Sequence, residues 1–219
     1  MTDTRQVLQM MRLGDSAFPV GGFAFSSGLE SAVRDGLVCS DTAVAGFVVE
    51  QLAGRWHAHD RVLMRSAWMA DDPARVDRQA ESACVLDTLR TASTRAGIAT
   101  LGTFAALGVE AAIAYRERVL NGTVGGHLPV AQAICLHGFG LGRTDAEHVC
   151  AWQFANGIVS AAVRLGVVGH IQAQYILNEV GVALVDLLDA TPPTTPCGFS
   201  WFADIATQRT GDGLRLFAS

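Results

Sequence analysis

The chain has 219 residues, of which half are hydrophobic and 17% are charged, and its formal net charge is −5. All of its basic residues are arginine, so it can form no lysine Schiff base and lacks the lysine of a phosphate-binding loop. An acidic chain also lacks the basic footprint that binding to nucleic-acid phosphates requires. We therefore expect no nucleic-acid partner, a large apolar core, and apolar surface that is available to protein partners.

The five cysteines and the start of the chain indicate the cytoplasm rather than a secreted or membrane location. Cysteines occur at 39, 84, 135, 150 and 197, an odd number with no CxxC pair, which is untypical of a secreted disulfide framework. The first fifteen residues show no basic segment followed by an apolar one, as a secretory leader would. The longest uncharged run, residues 119–142, is interrupted by proline and six glycines and predicts no membrane span. We expect a cytoplasmic protein with free thiols.

Near its start the chain combines aromatic residues and glycines in the segment AFPVGGFAFSSGLESAV, residues 17–33. A phosphate loop is excluded by the missing lysine. Pro19 can set the first corner of a turn, and Gly21 and Gly22 permit positive φ. Phe23 and Phe25 then precede a short helix predicted at residues 28–34. Two interpretations remain open: the aromatic side chains close the core, or they form a hot spot for a protein partner.

A long helix is predicted after Asp41, which is a plausible N-cap. Apolar residues recur at spacings of about four and would line one helical face. These residues are Val44, Val48, Leu52, Trp56, Leu63 and Ala67.

Further helix boundaries follow from capping signals. Asp72 before Pro73 marks one start. The sequence TDAE, residues 144–147, fits a capping box that opens a long helix, and Gly166 can end that helix in a left-handed conformation. Another helix is predicted over residues 171–189.

The absence of sustained apolar–polar alternation gives little support for strands. We therefore predict an all-α protein: one compact bundle of roughly eight to ten helices over residues 1–190. From residue 191 the composition changes to threonine, proline and glycine, which predicts a partly ordered C-terminal tail over residues 191–219.

Two stretches could carry chemistry. In WHAHDR, His57 and His59 would point to opposite sides of a helix and could not chelate one ion together. A core His59 with its hydrogen bonds satisfied and a solvated His57 are therefore favoured over a metal site. In GGHLPV, residues 125–130, glycines precede His127 and Pro129, which is typical either of an anion cradle at a helix start or of a flexible connector. No catalytic constellation is evident; the rival interpretation is a metal-dependent all-α hydrolase that uses His57 and Asp60.

Four motifs, in order along the whole chain, resemble those of the urease accessory protein UreF family. PVGGFAFSSGLE resembles the N-terminal signature of the family, and GHLPV resembles its Gly-His-x-Pro-Val motif. SAAVRLG matches a third motif, and the C-terminal DIA…R…RLFAS matches a fourth. The matching residues lie at 19–30, 126–130, 160–166, 204–206, 209 and 215–219.

The resemblance implies an all-α, non-catalytic protein with no cofactor of its own. Members form homodimers and bind a second accessory protein, UreD (also called UreH). Together these proteins dock the GTPase UreG and deliver nickel to apo-urease, and the ion is handled only transiently by the complex, with a tunnel as one route. UreF would couple the nucleotide state of UreG to nickel release.

The resemblance also implies partner-binding roles for particular residues. The N-terminal turn would shape a surface near UreG and the dimer axis, and Arg164 would end a long helix where a cation suits the dipole. The tail from residue 204 would order on UreD, with Leu214, Leu216 and Phe217 as anchors. The implied partner-binding set is Pro19, Gly21, Gly22, Phe23, Phe25, Ser26, Gly28, Glu30, His127, Arg164, Asp204, Arg209, Arg215, Leu216 and Phe217.

Overall fold

A computed structural model describes residues 3–21, 26–197 and 217 of the chain. Within these residues the fold consists of ten α-helices and one π-helical segment, without a strand, so the all-α prediction is confirmed. The helices are α1 (Thr4–Gly14), α2 (Leu29–Arg34), α3 (Asp41–Gln51), α4 (Arg61–Met69), α5 (Ala74–Ala83), α6 (Asp87–Ala106), α7 (Glu110–Leu120), α8 (Leu128–Gly138), α9 (Arg143–Arg164) and α10 (His170–Asp189).

The buried apolar side chains form two clusters that share helix α9. One cluster joins α2, α3, α9 and α10, and Phe217 belongs to it. The other joins α1 and α4 through α8. The first half of α9 contributes Val149 and Cys150 to the second cluster, and its second half contributes Ile158 and Val159 to the first. Helix α9 therefore connects both parts of the core. In the described residues, no helix is both long and apolar enough to cross a bilayer.

The apolar stripe predicted after Asp41 is confirmed, since all six of its residues are buried. Two details differ from the prediction. Ser40, rather than Asp41, caps α3 by accepting a hydrogen bond from the amide of Ala43. Between α3 and α4, residues Leu52–Asp60 are π-helical. Apolar residues spaced by four drift about 40° per step around an α-helix, and wider π turns bring the stripe back to the core.

Of the other predicted boundaries, two are confirmed and one is wrong. The amide of Ala74 donates to Asp72 at the predicted start of α5, although the helix begins at Ala74, one residue after Pro73. Gly166 adopts φ of +73° directly after α9. The capping box at residues 144–147 does not form: α9 follows Gly142 without a side-chain cap. Glu147 instead points inward to Arg61, because a buried guanidinium competes for its carboxylate.

Candidate functional site

The N-terminal turn is anchored on helix α6. The hydroxyl of Thr103 donates to the carbonyl of Pro19 at 2.6 Å, and the hydroxyl of Thr100 donates to that of Val20 at 3.1 Å. Gly21 has φ of +74°, and a Cβ there would lie 2.6 Å from the Cβ of Ala99. Glycine is therefore required both for conformation and for space. The predicted Gly22, Phe23 and Phe25 lie outside the described residues.

One aromatic of this segment closes the core. Phe18 packs edge-on against Phe104, with ring centres 5.5 Å apart, and Phe104 packs in the same way against Phe139. The guanidinium of Arg12 lies about 6 Å from the rings of both Phe18 and Phe139. Phe18 therefore closes the core, whereas the two interpretations of Phe23 and Phe25 stay predictions.

Ser26 and Gly28 determine where α2 begins. Ser26 is fully buried; its carbonyl accepts from the amide of Leu29 at 3.0 Å, and its hydroxyl accepts from that of Glu30 at 3.4 Å. Gly28 has φ of +85°, a conformation that favours glycine. These two residues can therefore shape a partner surface through the backbone, but the buried Ser26 side chain cannot touch a partner directly.

Three of the predicted residues, from three motifs, meet at one place. A carboxylate oxygen of Glu30 accepts from the backbone amide of Phe217 at 3.3 Å. The guanidinium carbon of Arg164 lies 4.3 Å from the centre of the Phe217 ring, which is only 5% exposed. Arg164 is the last residue of α9, as predicted, and it donates to the carbonyl of Ser160. Burial lowers the pKa of Arg164, but a guanidinium remains charged at neutral pH.

Two of the cavities that border the N-terminal turn also reach helix α9. The first, of about 270 Å³, lies between the turn and α9 and is lined by Pro19, Gly21 and Arg164 among others. The second, of about 150 Å³, lies between Val20 and the π segment. Their linings are mainly apolar side chains and neutral polar groups; the charged residues are Asp15 and Arg164 in the first and the paired Arg55 and Asp60 in the second. Such surfaces suit the binding of a protein segment more than acid–base chemistry.

The glycine-rich stretch before α8 does cradle an anion, which is a carboxylate of the chain itself. The backbone amides of Gly125, Gly126 and His127 donate to Asp77 at 2.6, 2.9 and 2.8 Å. Sequence reasoning missed Asp77. The signal in the sequence is its spacing of three residues from both Ala74 and Ala80, which places a carboxylate on the buried face of α5. The anion-cradle interpretation thus describes the geometry correctly, with an internal anion in place of a ligand.

His127 is held inside the same loop. It is 1% exposed, and its Nε2 lies 2.8 Å from a carboxylate oxygen of Glu81 while its Nδ1 lies 3.3 Å from the hydroxyl of Ser93. A partner could not touch this side chain directly. Any role of His127 in binding would act through the position of the loop.

A second buried polar network was also missed from sequence. Arg61 donates to the carboxylate of Glu147 at 2.7 Å and to the backbone carbonyls of Leu187, Leu188 and Ala190 at the end of α10. Arg65 donates to both oxygens of the same carboxylate. Burial alone would raise the pKa of Glu147, but the hydrogen bonds from Arg65 and Arg61 outweigh it and hold that pKa below its ordinary value. The network fixes α10 to α4 and α9.

His57 and Asp60 do not assemble a catalytic pair. His57 Nδ1 accepts from Arg61 at 3.1 Å, and Asp60 lies 3.6 Å from Arg55. His57 is intermediate between buried and exposed and lies beside Arg61, so this side chain is less solvated than predicted. His59 is buried as predicted, but within the described part of the chain its Nδ1 has no hydrogen-bond partner. Among the described residues, no group of three or more His, Cys, Asp or Glu could hold a metal ion.

Comparisons with known proteins identify the family of this chain. The family model described as UreF matches residues 38–181. The chain is similar, at 32% identity over 181 residues, to the urease accessory protein UreF of Yersinia pestis (strain Pestoides F), and the match covers 80% of this chain and 79% of that protein. The UreF proteins of Yersinia pseudotuberculosis (serotype IB, strain PB1/+) and Yersinia enterocolitica (serotype O:8) match with the same identity and coverage. The chain therefore belongs to the urease accessory protein UreF family.

Proposed function

We propose that this chain is a non-catalytic accessory protein of urease maturation. With UreD (UreH) it recruits and regulates the GTPase UreG, so that nickel reaches the active site of apo-urease. The ion is cargo of the complex, and this chain needs no resident cofactor. The proposal includes a cytoplasmic location and a homodimeric state. Membership of the UreF family is its main support.

One structural observation connects that role to particular residues. Glu30 follows the N-terminal turn, Arg164 ends α9, and Phe217 lies near the C-terminus, yet the three are in contact. A partner that binds the N-terminal turn would therefore also sense the position of the C-terminal segment. We propose that this cluster, Glu30–Arg164–Phe217, couples the binding of UreD to the binding of UreG.

The coupling depends on a rigid support beneath the turn. Thr100 and Thr103 hold the backbone at Pro19 and Val20, and Gly21 lies directly on α6. A turn held in this way is already ordered from Pro19 to Gly21, so a partner that binds it pays little entropy cost there. The proposed partner-binding residues Asp204, Arg209, Arg215 and Leu216, and the proposed anchor Leu214, lie outside the described residues and stay predictions.

The proposal can be tested by reconstitution of the complex. The full chain would be mixed with UreD, UreG, GTP and nickel, and complexes would be measured by size-exclusion chromatography with light scattering. Urease activation in the same mixture would be the functional readout. We expect a complex with both partners, and we expect Arg164→Gln to weaken it by at least about tenfold, equivalent to about 1.4 kcal/mol.

Arg75→Gln is the matched control, because Arg75 is exposed on α5 outside this cluster. It should assemble and activate as the unmodified chain does. A correctly folded chain that binds neither UreD nor UreG would overturn the proposed function. Equal assembly of both variants would show that Arg164 is not part of the partner site, and the proposed accessory role would still stand.

A further inference from the structure

The cavity of about 150 Å³ beside the π-helical segment lies where the two core clusters meet. Helix α9 contributes Cys150 of the second cluster and Ile158 of the first to its wall, and the N-terminal turn contributes Val20. Most of the remaining wall comes from α6, α8 and the π-helical segment. A cavity of this size has room for a benzene-sized molecule of about six non-hydrogen atoms. We call it the π-segment cavity.

The π-helical segment brings two opposite charges to one wall of this cavity. Arg55 Nε lies 3.6 Å from Asp60 Oδ1, and both residues line the cavity. Residues five positions apart lie about 140° apart around an α-helix, whereas the i→i+5 hydrogen bonds of a π-helix place them one above the other. An α-helical continuation of α3 would therefore turn one of the two side chains away from the cavity. Segments of π-helix are frequent at functional sites.

Two polar groups on the cavity wall make no hydrogen bond within the described part of the chain. The carboxylate of Asp60 is ion-paired with Arg55, but 3.6 Å is too long for a hydrogen bond, and His59 Nε2 is farther away at 3.9 Å. The side-chain amide of Gln132, on α8, has no hydrogen-bond partner among these residues either. The Asp60 side chain is only 15% exposed. A carboxylate that is largely removed from water and accepts no hydrogen bond is costly, so a donor from a ligand would stabilise it.

We propose that the π-segment cavity binds a small neutral molecule that has a primary amide at one end and a branched apolar body. The amide N–H groups would donate to Asp60, and the amide oxygen would accept from Gln132. The apolar body would contact Phe154 and Ile158. A neutral ligand is favoured because the charges of Arg55 and Asp60 already balance each other, so a charged ligand would add an unpaired charge to a partly buried site.

A molecule bound in the π-segment cavity would also contact the N-terminal part of the chain. Val20 belongs to the turn anchored on α6, Ser27 lies just before α2, and both line the cavity. Occupancy would therefore stabilise a segment to which the proposed function assigns partner binding. The ligand site itself goes beyond that function and rests on the cavity alone, so either proposal can fail while the other stands.

The first experiment titrates the full chain with isobutyramide, which joins a primary amide to a small branched apolar body. An NMR titration should show one site with a Kd of about 1 mM or tighter. At about 10 mM the amide should raise the melting temperature by about 3–5 °C. Isobutyrate has the same shape but a negative charge, and it should bind at least about tenfold more weakly. Urea lacks the apolar body and should be weaker by a similar factor of about ten. No binding of isobutyramide, or equal binding of isobutyrate, overturns the proposal.

The second experiment locates the site with variants of the full chain. Gln132→Met keeps the shape of the side chain but removes its amide, and it should weaken isobutyramide binding by about fivefold. Asp60→Asn should reduce the preference for isobutyramide over isobutyrate by at least about tenfold, because the carboxylate that repels isobutyrate is gone. Gln172→Met, at an exposed position of α10, is the matched control and should bind as the unmodified chain does.

Circular dichroism would verify that all three variants stay helical. Undiminished binding to Gln132→Met, or an unchanged preference in Asp60→Asn, would place the amide elsewhere and overturn the proposal. Binding to UreD and UreG, measured separately, would report on the accessory role whatever these results are.

Discussion

The guanidinium of Arg164 stacks over the ring of Phe217, with its central carbon 4.3 Å from the ring centre. Because the ring belongs to the first core cluster, this contact ties the end of α9 to the C-terminal part of the chain. If Phe217 were only an anchor presented to UreD, Phe217→Asp would weaken binding and leave the bundle folded. Its burial implies instead that Phe217→Asp would cost stability as well, so milder substitutions are needed to separate the two effects.

A double-mutant cycle would measure the strength of this contact. We expect Arg164→Gln and Phe217→Leu to be coupled by about 0.5–2 kcal/mol, because a cation over an aromatic face is attracted by the ring quadrupole and the site is partly desolvated. Urea unfolding of the two single variants and the double variant gives the coupling. Additive effects of the two substitutions would show that the stacking has no energetic consequence.

Asp77 should largely determine the conformation of the loop before α8. Its carboxylate accepts three backbone amides, and hydrogen bonds to a charged group are stronger than neutral ones. We expect Asp77→Asn to lower the free energy of unfolding by about 2–3 kcal/mol, because the amide replaces one acceptor oxygen with a donor.

Asp72→Asn is the matched control for that experiment. Asp72 is exposed and pairs with Arg118 at the surface, where an ion pair contributes little. We expect a change below about 1 kcal/mol in the same unfolding measurement. Equal losses in the two variants would contradict a special role for the cradle.

The helices and their buried faces could be predicted from sequence because these features are local. Periodicity and capping residues decide them, as Asp72 before α5 and Gly166 after α9 illustrate. The role of Glu147 could not be found in this way. The local pattern of residues 144–147 matched a capping box, but Arg61, far away in the sequence, determines where the carboxylate points. A buried charge must be paired, and that requirement outweighs a cap exposed to solvent.

The candidate site shows the same limit. Motif resemblance selected Glu30, Arg164 and Phe217 individually, but only the fold brings them into contact. It likewise selected His127 without revealing that the side chain is buried against Glu81 and Ser93. Motifs indicate which residues matter, whereas burial decides whether a residue touches a partner or supports one that does.

Removing the charge of Glu147 should be strongly destabilising. Glu147→Gln would leave the buried guanidinium of Arg61 without its counter-ion, and breaking a buried pair on one side typically costs about 3–5 kcal/mol. Glu117→Gln, at an exposed position of α7, should change the free energy of unfolding by less than about 0.5 kcal/mol. Thermal and urea unfolding would both show the difference. A fully stable Glu147→Gln variant would mean that water or another acceptor replaces the carboxylate.

Stability should fall on mild acidification because of His59. Burial lowers its pKa, with Arg55 and His127 lowering it further and Asp60 opposing them. The unfolded state therefore binds more protons than the folded state between the two pKa values. The stabilisation that neutral His59 provides is fully present above its unfolded-state pKa of about 6.5. It is lost as the pH falls toward the lower folded-state pKa, by up to about 1.4 kcal/mol per pH unit.

Urea unfolding at pH 7.5 and pH 5.5 would test this dependence. His59→Leu should reduce the difference in unfolding free energy between the two pH values. His170→Leu is the control, because His170 is exposed at the start of α10. An unchanged pH dependence in His59→Leu would assign the effect to another group, of which His57 is one, since burial and Arg61 also lower its pKa.

Two helical glycines should respond to alanine with opposite signs. A Cβ on Gly97 in α6 would overlap the carbonyl oxygen of Gly126 and crowd the backbone of His127. A backbone oxygen cannot move aside as a flexible side chain can, so Gly97→Ala should displace the cradle loop and cost about 1–3 kcal/mol. Gly46 in α3 has open space around the same position, so Gly46→Ala should stabilise the chain by about 0.5–1 kcal/mol through helix propensity. Melting temperatures of both variants would be compared with that of the unmodified chain. A stabilised Gly97→Ala would show that α6 and the loop can separate without loss, and that their close contact does not determine the position of His127.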